Sequence, residues 1–234
     1  MCEFFSRTKL LLGRDNIKKI KKSHVIVFGI GGVGSFIVES LIRIGINEIT
    51  LVDNDIIKIS DLNRQIHSNL NVLNCLKIDA MKDRIKTINK NIKVNLYNDF
   101  YSFIENDKIF TNKKYDYIAD AIDNINSKVD LILTANKLNI PIISSMGFGN
   151  KIEPTKIVVS DIYKTNMDPI ARIIRKKLKR ENIKKLKVVF SKEKPIKLSC
   201  NYLKNKKIIG SVPFVPSVAG LIMASEIIKD IIGI

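Results

Sequence analysis

Two basic side chains, Arg64 and Lys77, and three carboxylates, Asp53, Asp55 and Asp123, follow or border apolar runs downstream of a glycine-rich turn, Gly29-Ile30-Gly31-Gly32-Val33-Gly34-Ser35. A turn of that composition opening a helix aims unpaired backbone N–H groups at an anion. Gly29 permits the tight turn, Gly31 lets the backbone approach a phosphate, and Gly34 allows the helix to pack closely on the strand. Asp53 ends the following strand, where a carboxylate can take two ribose hydroxyls. A dinucleotide's pyrophosphate needs little beyond the helix dipole, and a nicotinamide oxidoreductase fits the turn and Asp53. A triphosphate undergoing displacement needs added cations and usually Mg²⁺. Arg64, within Asn63-Arg64-Gln65, and Lys77 supply cations, and Asp123, in Asp120-Ala121-Ile122-Asp123, is the best candidate to direct the metal. Spacing alone favours nucleotide displacement over hydride transfer by a small margin.

These residues can meet only if the elements behind them share one rim. Apolar strands are expected at Val25 to Phe28, Glu48 to Val52, Ile92 to Tyr97, Tyr115 to Ala119 and Ile140 to Ser144. Helices are expected at Asp15 to Lys22, at Val33 to Ile44 with Gly45 as its stop, at Leu76 to Ile88 and at Val129 to Leu138. Asp53 to Gln65 reads as an irregular polar connection. Alternating strands and helices make a doubly wound, mostly parallel α/β sheet of Rossmann type, whose strand ends lie on one edge. After Gly147-Phe148-Gly149 the character changes: a strand at Lys156 to Ser160, a helix from Asp168, a lysine-dense stretch from Lys184 to Lys207, and an amphipathic helix from Pro216 to Ile231. The expectation is one domain over 1–234, with a nucleotide-binding core at 1–147 and a basic, substrate-binding elaboration with a C-terminal helix at 148–234.

The 40 basic against 23 acidic residues give a net charge of +17, which attracts polyanions. A lysine-rich bias alone fits an AT-rich coding genome, but here the cations cluster, notably Arg172, Arg175, Lys176, Lys179 and Arg180 on the helix after Asp168, so a nucleic acid is the expected partner. Cys2, Cys75 and Cys200 form no paired motif, which disfavours a disulfide framework or structural zinc site. The N-terminus lacks a signal-peptide core, and the apolar tract Val212 to Ile234 is broken by Glu226, Lys229 and Asp230. A soluble, cytoplasmic protein with no membrane partner is expected.

GIGGVGS at Gly29 to Ser35, VDND at Val52 to Asp55, NRQIH at Asn63 to His67, Lys77 and DAIDN at Asp120 to Asn124 resemble the adenylating superfamily of ThiF, MoeB and the ubiquitin-activating enzymes. Within it, Ile140 to Ile157, Asp161 to Pro169 and Val188 to Pro195 resemble the tRNA threonylcarbamoyladenosine dehydratase branch, and the resemblance spans essentially the whole chain.

The resemblance implies ATP-dependent ring closure of threonylcarbamoyladenosine beside a tRNA anticodon, with activation of a sulfur-carrier protein's C-terminus as the alternative. It implies that Gly29, Gly31, Gly32 and Gly34 line the phosphates and Asp53 holds the ribose, with Asp55, Asn63 and Gln65 in the same nucleotide site. Arg64 and Lys77 would neutralise charge on the phosphates, Asp123 would direct Mg²⁺ or the substrate, and Arg7 would enter a partner subunit's site in a homodimer. A sulfur-transfer protein is a further partner the resemblance suggests. Asp61 replaces the family's asparagine, and Phe4 stands where relatives carry another arginine, leaving Arg7 as the in-trans cation. Cys200 is read as a small loop residue in preference to an acyl-accepting thiol. His67 is expected to support the Arg64 loop, and His24 to begin a strand.

Overall fold

A computed structural model describes residues 4–101, 107–111, 113–197 and 209–234. Two short helices, α1 (Ser6–Leu12) and α2 (Arg14–Lys22), lead into β1 (His24–Phe28), all five of whose residues are buried. That burial is the mark of a central parallel strand covered on both faces. The chain continues through α3 (Gly34–Ile44), β2 (Glu48–Val52), α4 (Lys77–Ile88), β3 (Lys93–Tyr97) and the one-turn α5 (Asp107–Phe110). It then runs through β4 (Tyr117–Asp120), α6 (Ile125–Lys137), β5 (Ile142–Ser145), β6 (Ile157–Asp161), α7 (Pro169–Arg180), β7 (Lys187–Ser191) and α8 (Phe214–Ile232).

The seven strands form one sheet in the order β3-β2-β1-β4-β5-β7-β6, parallel except for the last pair. The doubly wound, mostly parallel architecture expected from the sequence is therefore present. The period of two along β1 separates its two coverings. Val25 and Val27 pack with Ile37, Leu41, Ala219 and Met223 of α3 and α8, whereas Ile26 and Phe28 pack with Leu131 and Ala135 of α6. Gly45 ends α3 in the left-handed conformation, with φ of 117°, as its position predicted.

Differences fall where local signals are weak. Neither α1 nor α5 has an apolar stripe long enough to announce itself. The helix expected from Val129 begins at Ile125, because the Asn124 side chain caps it by accepting from the N–H groups of Asn126 and Ser127. The connection from Asp53 to Gln65 contains an isolated bridge from Ile56 to Leu76 and then a 3₁₀ turn at Ile59–Asp61. β7 pairs directly with β5 and α8 packs on α3, so residues 148–234 share one sheet and one core with the residues before them. The lysine-dense stretch becomes β7 where its apolar Val188-Val189-Phe190 run supplies a buried strand. Among the described residues no helix is long and apolar enough to cross a membrane.

Candidate active site

A cleft of about 520 Å³ opens at the C-terminal ends of β1, β2, β4 and β5, where a parallel sheet of this topology places its ligands. Gly29, Gly31, Gly32, Asp53, Asp55, Arg64, Gln65, Lys77 and Asp123 all line it. Gly29 has φ of 82°, and among the described residues no side chain caps the start of α3, so the backbone N–H groups there are able to meet an anion. Gly34 does not line the cleft. A Cβ at 34 would fall 1.8 Å from the Gly29 carbonyl oxygen, so its role is to let α3 close against the turn.

Asp53 fastens the turn to β2. Its Oδ2 accepts from the Ile30 N–H at 2.6 Å and its Oδ1 from the Asp55 N–H at 2.8 Å. Burial raises its pKa against the opposing pull of Lys77 and those two N–H groups. Each carboxylate oxygen retains acceptor capacity for a ribose hydroxyl. Lys77 is the first residue of α4, an unfavourable place for a cation beside the helix dipole. It is nevertheless 7% exposed, with Nζ 2.6 Å from Asp55 Oδ2, so helix solvation does not account for it and an anion does.

Arg64 Nη1 donates to the Ser60 carbonyl at 2.7 Å and to Asn63 Oδ1 at 3.0 Å, and Nη2 lies 3.2 Å from Asp61 Oδ1. Three of five guanidinium N–H groups thus hold the side chain and two remain to reach a phosphate. Asp61, the departure from the family's asparagine, accepts from the Lys58 N–H at 3.0 Å and adds charge to the Arg64 contact. Asn63 does not line the cleft, and its amide donates to the carbonyl of Ser211, which does, at 3.1 Å. Asp123 is exposed on the rim, and Asn124, not Asp123, caps α6. Among the described residues no group of three or more His, Cys, Asp or Glu could hold a metal. A lone rim carboxylate fits Mg²⁺ that arrives on phosphates and keeps several waters.

The sequence reading missed a buried triad under this cleft. Lys128 lines it with Nζ 2.9 Å from Asp120 Oδ1, while Ser144 Oγ donates to Asp120 Oδ2 at 2.6 Å. The available signal was Asp120 itself, since an acid ending a buried strand needs a charged or hydrogen-bonding partner.

Arg7 does not line this cleft. It borders a second cavity of about 540 Å³, apolar and framed by α1, α3 and α8, with Leu11, Ile44, Leu221 and Ile228. On α7, Arg172, Lys176, Lys179 and Arg180 are exposed. Arg175 departs from that basic set: its Nη1 binds the Thr165 carbonyl at 3.0 Å and the Thr165 hydroxyl, so its guanidinium secures the turn before α7. His67 is 3% exposed with neither ring nitrogen partnered, and burial together with Lys77 lowers its pKa to about 4. His24 Nε2 lies 2.8 Å from Thr50 Oγ1 beneath the sheet. Neither imidazole reaches the cleft. Cys75 is free and exposed, while Cys2 and Cys200 lie outside the described residues.

With this geometry established, comparison with known proteins gives a consistent set. The ThiF family model matches residues 5–234. A tRNA threonylcarbamoyladenosine dehydratase of Bacillus subtilis is 41% identical over 99% of this chain and 96% of its own length. The crystal structure of the Escherichia coli tRNA N6-threonylcarbamoyladenosine dehydratase TcdA in complex with ATP superposes with a TM-score of 0.91 at 31% identity, covering 99% of this chain and 95% of that one. The maize adenylyltransferase and sulfurtransferase MOCS3-1 is 26% identical, with 44% of its length covered.

Proposed function

The chain belongs to the ThiF family, and from that premise we propose that it dehydrates threonylcarbamoyladenosine in tRNA, using ATP. The observation that carries this reading is the end-to-end 41% identity with a dehydratase, joined to a cleft that holds the glycine turn, Asp53, Arg64 and Lys77 together. Activation of a sulfur-carrier protein is disfavoured by the lower identity and shorter coverage of such relatives.

The threonyl carboxylate attacks the α-phosphorus of ATP, forming an acyl-adenylate and releasing pyrophosphate. The neighbouring carbamoyl group then attacks the acyl carbon, loses a proton, and expels AMP, closing the ring. The oxygen lost from the substrate leaves on AMP, so the net change is removal of one water. Adenylation is needed because a carboxylate oxygen is a poor leaving group, and the second attack is intramolecular, with the proximity advantage that brings. The N–H groups at the start of α3 take the phosphates, Asp53 the ribose, and Arg64 and Lys77 balance the charge that grows on the departing pyrophosphate. Mg²⁺, when bound with ATP, would neutralise phosphate charge, and Asp123 would hold it.

Arg172, Lys176, Lys179 and Arg180 supply the cationic face for the tRNA. Arg7 acts in a second copy's cleft, so the working unit is a homodimer, in the cytoplasm where its substrate lies. Mass spectrometry of nucleosides from tRNA carrying threonylcarbamoyladenosine, digested gently after incubation with ATP and Mg²⁺, tests the reading. Loss of one water that requires ATP supports it, with heavy oxygen from a labelled threonyl carboxylate appearing in AMP. An unchanged nucleoside overturns it.

A further inference from the structure

Two fully buried charges take no part in the nucleotide-binding set. The side chains of Lys151 and Asp168 are 1% and 0% exposed, with Nζ 3.2 Å from Oδ2. Burying two ions is costly, and an apolar pair of similar volume is often as stable. Stability alone therefore gives this pair no reason to be ionic, and what it holds is more telling.

Its bonds converge on Gly147. Asp168 Oδ2 accepts the Gly147 N–H at 3.1 Å, and Lys151 Nζ donates to the Gly147 carbonyl at 2.7 Å. Lys151 also reaches the Ser191 carbonyl, at the end of β7, at 3.4 Å, while Asp168 Oδ1 caps α7 by accepting the Ala171 N–H at 2.9 Å. Gly147 lines the nucleotide cleft, and so does Ile170 from the first turn of α7. A Cβ at 147 would meet Ile170 Cδ1 at 3.2 Å. One ion pair thus joins the cleft wall, the end of β7 and the start of the helix that exposes Arg172, Lys176, Lys179 and Arg180.

We propose that Lys151 and Asp168 are positioning residues that fix the RNA-contacting helix α7 against the Gly147 wall, so that a tRNA held on the basic face presents its carboxylate at the α-phosphate. The proposal rests on the dehydratase reading for the identity of the substrate. A reacting centre misplaced by about 1 Å loses roughly 100-fold in rate, whereas ATP, which binds the opposite, glycine-turn side of the cleft, is unaffected.

The deciding variant is the double Lys151→Met/Asp168→Asn. It strands no buried charge, and asparagine caps a helix as well as aspartate does. The full-length proteins are compared by ATP Kd, tRNA Kd, single-turnover rate per ATP-binding site with both substrates saturating, and hydrogen exchange at residues 145–149 with and without tRNA. Expected are ATP and tRNA Kd values within about 3-fold of wild type, a single-turnover rate down by about 100-fold, and loss of the tRNA-dependent protection that wild type shows at 146–149. A normal rate per site, a rate that falls only in step with ATP binding, or a wild type whose 146–149 amides ignore tRNA would each overturn the proposal. Wild-type protein that shows the protection but performs no dehydration fails the reaction assignment while leaving the positioning role supported.

Discussion

Lys77 Nζ lies 2.6 Å from Asp55 Oδ2, in a pair whose lysine side chain is 9% exposed and whose carboxylate is 59% exposed. The asymmetry determines what removal of each partner costs. Replacing Lys77 with Met leaves a carboxylate that water already solvates, so no buried charge is stranded and the fold is expected to lose only about 1 kcal/mol or less. Loss of a cation that balances leaving-group charge is expected to cut adenylation by about 100-fold or more. Pyrophosphate exchange into ATP alongside thermal melting checks this; exchange at the wild-type rate ends the role assigned to Lys77.

The exposed face of α7 leads to a salt-dependence argument. Replacing Arg172, Lys176, Lys179 and Arg180 with Ala removes up to four phosphate contacts, each worth about 0.7 to 0.9 in the slope of log K against log salt. Affinity for tRNA is expected to fall and its salt slope to flatten by about 3, with ATP affinity unchanged. Arg175→Ala is expected to behave differently. Its guanidinium holds Thr165, so the loss appears as roughly 1–3 kcal/mol of stability, with the salt slope retained. Titrations at several ionic strengths separate the two cases.

Arg7 sits in an apolar groove away from its own cleft, beside Leu11, which is 84% exposed. If a second copy covers that groove and receives Arg7, an Arg7→Ala protein and a Lys77→Ala protein, each inactive alone, are expected to recover about a quarter of wild-type activity when mixed in equal amounts, by statistical pairing in which only one cleft of a mixed dimer is complete. Gel filtration of the mixture measures the exchange. Absence of recovery in exchanged dimers places the action of Arg7 in its own chain or nowhere.

His67 makes stability depend on pH. Its folded pKa is lowered to about 4 from 6.5 by burial and by Lys77. Between those values the unfolded chain binds the proton and the folded chain does not. Stability is therefore fully present above about pH 6.5 and lost as pH falls toward 4, by roughly 3 kcal/mol across the window. Since neither ring nitrogen has a partner, His67→Leu is expected to fold at least as stably at pH 7 and to flatten the decline. Urea titrations of both proteins at pH 7, 5.5 and 4.5 give the difference directly, and parallel curves would contradict it.

Much of the cleft lining was legible because the expected residues sit next to local signals: Gly29 to Gly34 between a strand and a helix, Asp53 at a strand end, Arg64 and Lys77 in motifs of fixed spacing. Such residues reach the ligand from the rim that strand order alone defines. Lys128 and Lys151 were illegible for the opposite reason, since their partners Asp120 and Asp168 are 8 and 17 positions away, and only burial distinguishes them from the many solvated lysines. Asn63 and Arg175 show the same dependence on tertiary context. Their side-chain types suit a ligand, but tertiary contacts to Ser211 and Thr165 engage them first. The antiparallel direction of β6 had no signature either, because residues 157–161 pair only with β7, a strand some thirty residues further along the chain.

Gly220 ties the last helix to the start of α3. A Cβ there would fall 2.4 Å from the Val33 carbonyl oxygen and 2.9 Å from Phe36 Cβ, and Val33 is the residue that precedes the first turn of α3. The neighbours are backbone and a Cβ, neither of which can rotate away, so Gly220→Ala must push α8 off α3 or shift the start of α3. Overpacking of this kind costs about 1–3 kcal/mol. Because α3 begins at the glycine turn, the same displacement is expected to weaken ATP binding severalfold, whereas Gly233→Ala, at the exposed end of α8 where a Cβ meets nothing within 4 Å, is expected to lower stability by its strained φ of 83° without touching ATP affinity. Calorimetric ATP titrations of the two variants, each at a temperature where it is fully folded, distinguish the outcomes, and equal ATP affinities would show that α8 supports the core without setting the phosphate turn.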